Sequence, residues 1–112
     1  MGNTAMKGVP VTLLPAGTTT GTGTAIVLPI TCNNPRVHMR GTGAIGAGNI
    51  IIEEAQTPDF SGTWSQLLSQ AAVPLANGVE IALHILGTIG AIRARISVNV
   101  TVGSVEVSLT SD

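Results

Sequence analysis

From Ile92 to Thr101 the chain alternates without a break. Ile92, Ala94, Ile96, Val98 and Val100 fall on one side, and Arg93, Arg95, Ser97, Asn99 and Thr101 on the other. Side chains on a strand point to opposite faces with period two, so this segment is a strand with one apolar and one wet face. The rhythm returns where Val105, Val107 and Leu109 alternate with Ser104, Glu106, Ser108 and Thr110. Val102-Gly103 between the two runs has the length of a tight turn, so the C-terminal third is expected to form an antiparallel hairpin covering a core.

Earlier segments carry the same signature. Arg36 to Arg40 alternates, with Val37 and Met39 expected inward and Arg36, His38 and Arg40 outward. Val79 to Ile85 does so too, with Val79, Ile81, Leu83 and Ile85 inward and Glu80, Ala82 and His84 outward. Asn49 to Glu54 contains three consecutive isoleucines, which lose side-chain freedom in a helix and suit a strand. Val9 to Leu14 predicts a short edge strand, since Pro10 cannot donate to a ladder, and Thr24 to Ile30 predicts another that stops at the turn residues Asn33-Asn34-Pro35. Ala16 to Gly23 is small and hydroxyl-rich and is expected to be a loop, as is the glycine-rich stretch Gly41 to Gly46. Thr57-Pro58-Asp59 and Ser61-Gly62 predict a turn that delivers Trp64. Ser65 to Val73 is open: Leu67, Leu68, Ala71 and Ala72 fit a short helical turn, while its brevity and Pro74 fit strand then loop.

About seven or eight short strands with frequent turns predict an all-β protein: one antiparallel β-sandwich of immunoglobulin-like or jelly-roll type spanning residues 9–112. Residues 1–8, Met1 to Gly8, have no periodicity and are expected to form an extended N-terminal arm. A chain of 112 residues has room for one core.

Composition sharpens the picture. Charged residues make up only 10% of the chain, against roughly 25% in ordinary soluble domains, so the surface is unusually neutral. With a net charge of −1 little repulsion opposes self-association, which points to a protein that lives attached to something. The same balance leaves no basic stripe, and 2% aromatic residues leave no stacking platform, so nucleic acid is not an expected partner. The patch Val9 to Leu14 is too short for a secretory h-region or a membrane span, so neither is expected. Cys32 is the only cysteine and cannot form an internal disulfide; it is expected to be a small buried apolar side chain.

Candidate chemistry is sparse. Gly41 to Gly46 spells G-x-G-x-x-G, but the strand-forming run Asn49 to Glu54 follows, where a dinucleotide loop must open a helix. Glu53 and Glu54 are neighbours on a strand, hence on opposite faces, and cannot flank one bond. His38 and His84 stand alone on wet faces with no ligand-like spacing to a cysteine or carboxylate. Asn99-Val100-Thr101 is a glycosylation sequon with meaning only in a secreted eukaryotic chain. Arg93 and Arg95 share a face and can pair across strands with Glu80 and Glu106, or dock onto a partner. Trp64 is expected to fill the core, with a lone sugar platform as its alternative. No catalytic residue, metal or cofactor is expected.

Two segments, "GNIIIEEAQTPDFSGTWSQL" and "GAIRARISVNVTVGSVEVSLTSD", carry a resemblance. Their order of strand, acidic turn, G-T-W, Arg-Ala-Arg strand and Thr/Gly-rich end resembles small virion proteins of tailed bacteriophages over about residues 36–112. The resemblance implies a β-sandwich bound to the capsid surface as a decoration or cement protein, with the major capsid protein or other virion proteins as partners and a homo-oligomer, such as a trimer, as its form. The expected contact residues are Lys7, Val9, Val11 and Leu13 of the N-terminal segment with Arg93 and Arg95. The alternatives are a tail or head-to-tail connector component, or a carbohydrate-binding module using Trp64 and the loops Thr18 to Gly23 and Gly41 to Gly48.

Overall fold

The computed structural model describes residues 11–19, 21–23, 26–27, 36–84 and 90–110. The arm Met1 to Gly8, with Lys7, and also Val9, Cys32, Ile85, the turn at Asn33 to Pro35 and most of the strand expected at Thr24 to Ile30 lie outside the described residues. The elements are β1 (Val11–Gly17), β2 (Gly21–Thr22), β3 (Ile26–Val27), β4 (Arg36–Ala55), β5 (Ser65–Ala71), a 3-10 segment (Val73–Gly78), β6 (Glu80–His84) and β7 (Ala91–Thr110). The protein is all-β and antiparallel, as expected from the alternation. The strands are unequal, however: β4 and β7 run 20 residues each and pair along almost their whole length, from Arg36↔Thr110 to Ala55↔Ala91.

The register shows how one sheet makes two layers. β1, β2 and β3 follow one another down the free side of β7, pairing Val11↔Leu109, Gly21↔Ile96 and Ile26↔Ile92. On the far side of β4, β5 pairs with its second half (Glu54↔Ser65 to Asn49↔Ala71) and β6 with its first half (Arg40↔Glu80 to Arg36↔His84). The chain thus makes four bent passes. The β4–β7 register shifts between Gly43 and Ile50, and there the sheet creases. One half carries β1, β6 and the paired ends Arg36–Thr42 and Ser104–Thr110; the other carries β2, β3, β5 and the opposite ends of β4 and β7.

Inward residues of both halves meet in one core. Leu13, Val37, Met39, Val107 and Leu109 come from the first half, Ile50, Ile52, Ile92, Ala94 and Ile96 from the second, and Ile45, Val100 and Leu75 from the crease. Each such side chain contributes about 1.5–3 kcal/mol by leaving water. Two glycines of β4 are required, one within the crease and one just before it. Gly48 sits at φ 134, a backbone conformation other residues avoid, and Gly41 lies so close to the Leu75 carbonyl that a Cβ would strike it.

The expected C-terminal hairpin is corrected: both of its runs belong to β7. A two-residue type I′ reversal needs positive φ at both central positions, and Val102 takes φ 71 while Gly103 does not. The chain therefore kinks without reversing, and each half pairs with β4. Gly41 to Gly46, expected as a loop, is likewise strand, and the expected Ala16 to Gly23 loop gives up Ala16 and Gly17 to β1 and Gly21 and Thr22 to β2. The open segment Ser65 to Val73 is strand up to Ala71. Val79 and Leu83, expected inward, are 45% and 38% exposed; Val79 precedes β6 and Leu83 lies on it, and among the described residues β6 pairs with β4 alone. Val98 is also exposed, at the register shift.

Candidate functional site

Registered pairing places most of the described charges on the two outer faces of the folded sheet. On the first half, the row Glu80–Arg40–Glu106 crosses three strands. Arg40 donates to Glu80 at 2.9 Å and approaches Glu106 at 3.8 Å. Below it His38 lies 3.6 Å from Glu80 through Nδ1 and 3.0 Å from the Thr110 hydroxyl through Nε2. In the last row Arg36 donates to Nε2 of His84 at 2.8 Å.

Hydroxyl, imidazole and carboxylate thus stand in line, the order of an activated nucleophile. An acyl-transfer site also needs preorganised donors for the developing oxyanion, and the amides of β4, which carries His38, are spent on the ladders to β6 and β7. The groove over this face, lined by Thr12, His38, Arg40, Glu80, Glu106 and Ser108, holds about 250 Å³. Small-molecule sites usually offer about 300–1,000 Å³. The face is suited to polar contact more than to enclosing a substrate.

The second outer face is built around a buried carboxylate. Ile50 and Ile52 point inward, so Glu53 points out, into the row it shares with Arg93. Arg93 donates to one of its oxygens at 2.7 Å and Arg95 to the other at 3.3 Å, leaving Glu53 only 4% exposed. The turn from Thr57 delivers Trp64, as expected, but swings it over this face. Its indole N–H donates to the Phe60 carbonyl at 2.9 Å, and the Arg93 guanidinium lies 4.1 Å from the ring centroid. Cation–π attraction and the ion pair therefore hold Arg93 from two sides. Farther along, Asn49 donates to the hydroxyls of Ser69 and Ser97, tying β4 to both neighbours.

Three expectations change here. Trp64 is buried but stands outside the core cluster, on the outer face. Covered by Arg93, its ring offers no free platform to a sugar. Arg93 and Arg95 do pair across strands, but with Glu53; Glu80 and Glu106 serve Arg40 instead. Glu53 was missed as a hub because strand parity reveals which side a residue faces, not which residues stand opposite.

Of the expected contact residues, Val11 packs partly against the core and Leu13 is fully buried within it. Arg93 and Arg95 are engaged with Glu53. Among the described residues no group of three His, Cys, Asp or Glu side chains forms a metal site. Among the described residues hydrogen-bonding capacity is open at the edges: β5 and β6 each pair with β4 alone. Ser65–Ala71 carries no charged residue.

No family model matches the chain, and no curated protein sequence does. Among solved structures it is similar to the SPBc2 prophage-derived protein YomS, with a TM-score of 0.60 and 14% identity over 93% of this chain and 92% of that one. The PBSX exported protein XepA matches with a TM-score of 0.54 and 14% identity, over 94% of this chain but 38% of XepA. Tripeptidyl peptidase 2 matches with a TM-score of 0.58 and 9% identity over 99% of this chain, which corresponds to 10% of the peptidase. At these identities the likeness is one of fold: this chain shares the architecture of a prophage-derived protein along nearly the full length of both, and of a fraction of two larger ones.

Proposed function

We propose that this chain is a non-catalytic structural protein of a phage or prophage-encoded particle, which decorates the outside of the head and clamps neighbouring capsid subunits. The observation that carries this reading is the end-to-end fold likeness to prophage-derived YomS. Two further features support it. The charged clusters on both outer faces are satisfied within the chain, which favours a neutral adhesive body over a charged recognition site. The β5 edge is seven residues long and lacks the lysines, prolines or inward charges that usually blunt such edges.

In this reading the β5 edge accepts an extended segment of a capsid subunit as an added strand, and the arm Met1 to Gly8 reaches onto the next subunit. Main-chain bonds supply adhesion, and many weak sites on one lattice supply avidity. The test is co-sedimentation of the purified full chain with particles that lack it. Saturable binding on the order of hundreds of copies per head is expected, with shorter retention after deletion of residues 1–8. A full chain that never sediments with particles overturns the reading, and unchanged retention after the deletion removes the arm from it.

A further inference from the structure

The open edge of β6 is complementary to its own reverse: acid, aliphatic, small, aliphatic, base, as Glu80, Ile81, Ala82, Leu83 and His84. Among the described residues this strand bonds to β4 alone, so its other side presents free N–H and C=O groups. We infer that β6 is the self-pairing edge of a homodimer, joined antiparallel about a two-fold axis through Ala82.

In that register Glu80 faces the second copy's His84, Ile81 faces its Leu83, and Ala82 faces itself. A two-fold interface requires such self-complementarity, each residue meeting a partner that meets it in return. On the outer face, the acid end of one copy, Glu80 beside Arg40, meets the basic end of the other, where Arg36 already donates to His84. On the inner face Leu83, 38% exposed at the rim of the core beside buried Val37, gains the apolar cover it lacks. Ala82 at the axis is small enough for two copies to meet without a clash.

No other described edge combines these features. β1 contains Pro15 and two register shifts, and β5 has no charge to fix a register. Slipping the β6 pair by two residues, the smallest shift that keeps the same faces together, opposes Glu80 to Ala82 and loses both acid–base contacts, so the charges select one alignment.

Five paired residues bury less than the roughly 1,200–2,000 Å² of a permanent interface, so the dimer is in concentration-dependent exchange. The inference needs no particle binding and is tested apart from it. Sedimentation velocity of the full chain from about 10 μM to about 1 mM is expected to show monomer converting to dimer. H84E opposes two acids and is expected to weaken the dimer at least about tenfold, and E80K/H84E restores opposite charges and the dimer. Concentration-dependent amide shifts in the unmodified chain, confined to Val79–His84 and its β4 neighbours, give the same answer without a substitution. A chain that stays monomeric throughout, a dimer indifferent to H84E, or a double variant as weak as the single one overturns the inference.

Discussion

Replacing Glu53 by alanine removes the one acceptor that two arginines share. In the native chain this carboxylate is 4% exposed and takes Arg93 at 2.7 Å and Arg95 at 3.3 Å. Breaking a buried pair and leaving its partner uncompensated costs about 3–5 kcal/mol. Here the side chains of Arg93 and Arg95 keep 24% and 37% of their exposure, so water replaces part of the lost acceptor and the expected cost is about 2–3 kcal/mol. Against a total stability of about 5–15 kcal/mol that is a large share, equivalent to a fall in Tm of about 8–12 °C for a domain of this size. Glu53→Gln keeps one acceptor oxygen and should lose about 1–2 kcal/mol. Arg40→Ala, in the exposed row of the first face, should lose less than about 1 kcal/mol. Urea unfolding followed by the fluorescence of Trp64, the chain's single tryptophan, measures all three. A double-mutant cycle with Arg93→Ala isolates the coupling, expected above about 1 kcal/mol. A Glu53→Ala cost below about 0.5 kcal/mol refutes the claim that this carboxylate anchors the second face.

Two positions beside and within the crease carry opposite predictions. Gly41→Ala drives a Cβ into the Leu75 carbonyl and the Ile45 side chain, and is expected to destabilise by about 1–3 kcal/mol in the same urea assay. Val102 holds a β-branched side chain at φ 71 while leaving it 78% exposed, so Val102→Gly relieves strain and sacrifices little burial. It is expected to raise stability by about 1 kcal/mol, read as a higher denaturant midpoint at unchanged slope.

Strand content was legible wherever alternation was strict, because period two follows from the pleat itself and needs no knowledge of neighbours. Ile92, Ala94 and Ile96, Val37 with Met39, and Ile50 with Ile52 all face the core as their parity predicts. Breaks between strands were misread where glycine does a different job. Gly41 to Gly48 and Val102-Gly103 have the composition of turns, yet in a creased sheet the same residues let two 20-residue strands bend without ending. Register was the larger gap. That Arg93 stands opposite Glu53, and that Trp64 closes over that pair, depends on contacts between segments about 30–40 positions apart, which local pattern does not encode. The edges were foreseen in kind, since a neutral chain of antiparallel strands must end somewhere. Which strands they are followed only from the pairing.

The proposal that this creased sheet serves a phage particle as an external clamp is tested most directly by high-resolution cryo-electron microscopy of particles purified from cells that produce the chain. The account predicts density fitting the two-layer β body at many symmetry-related positions on the outside of the head, with β5 against capsid chains. Heads whose outer density is fully explained without this chain, and particles from which it is absent, would contradict it.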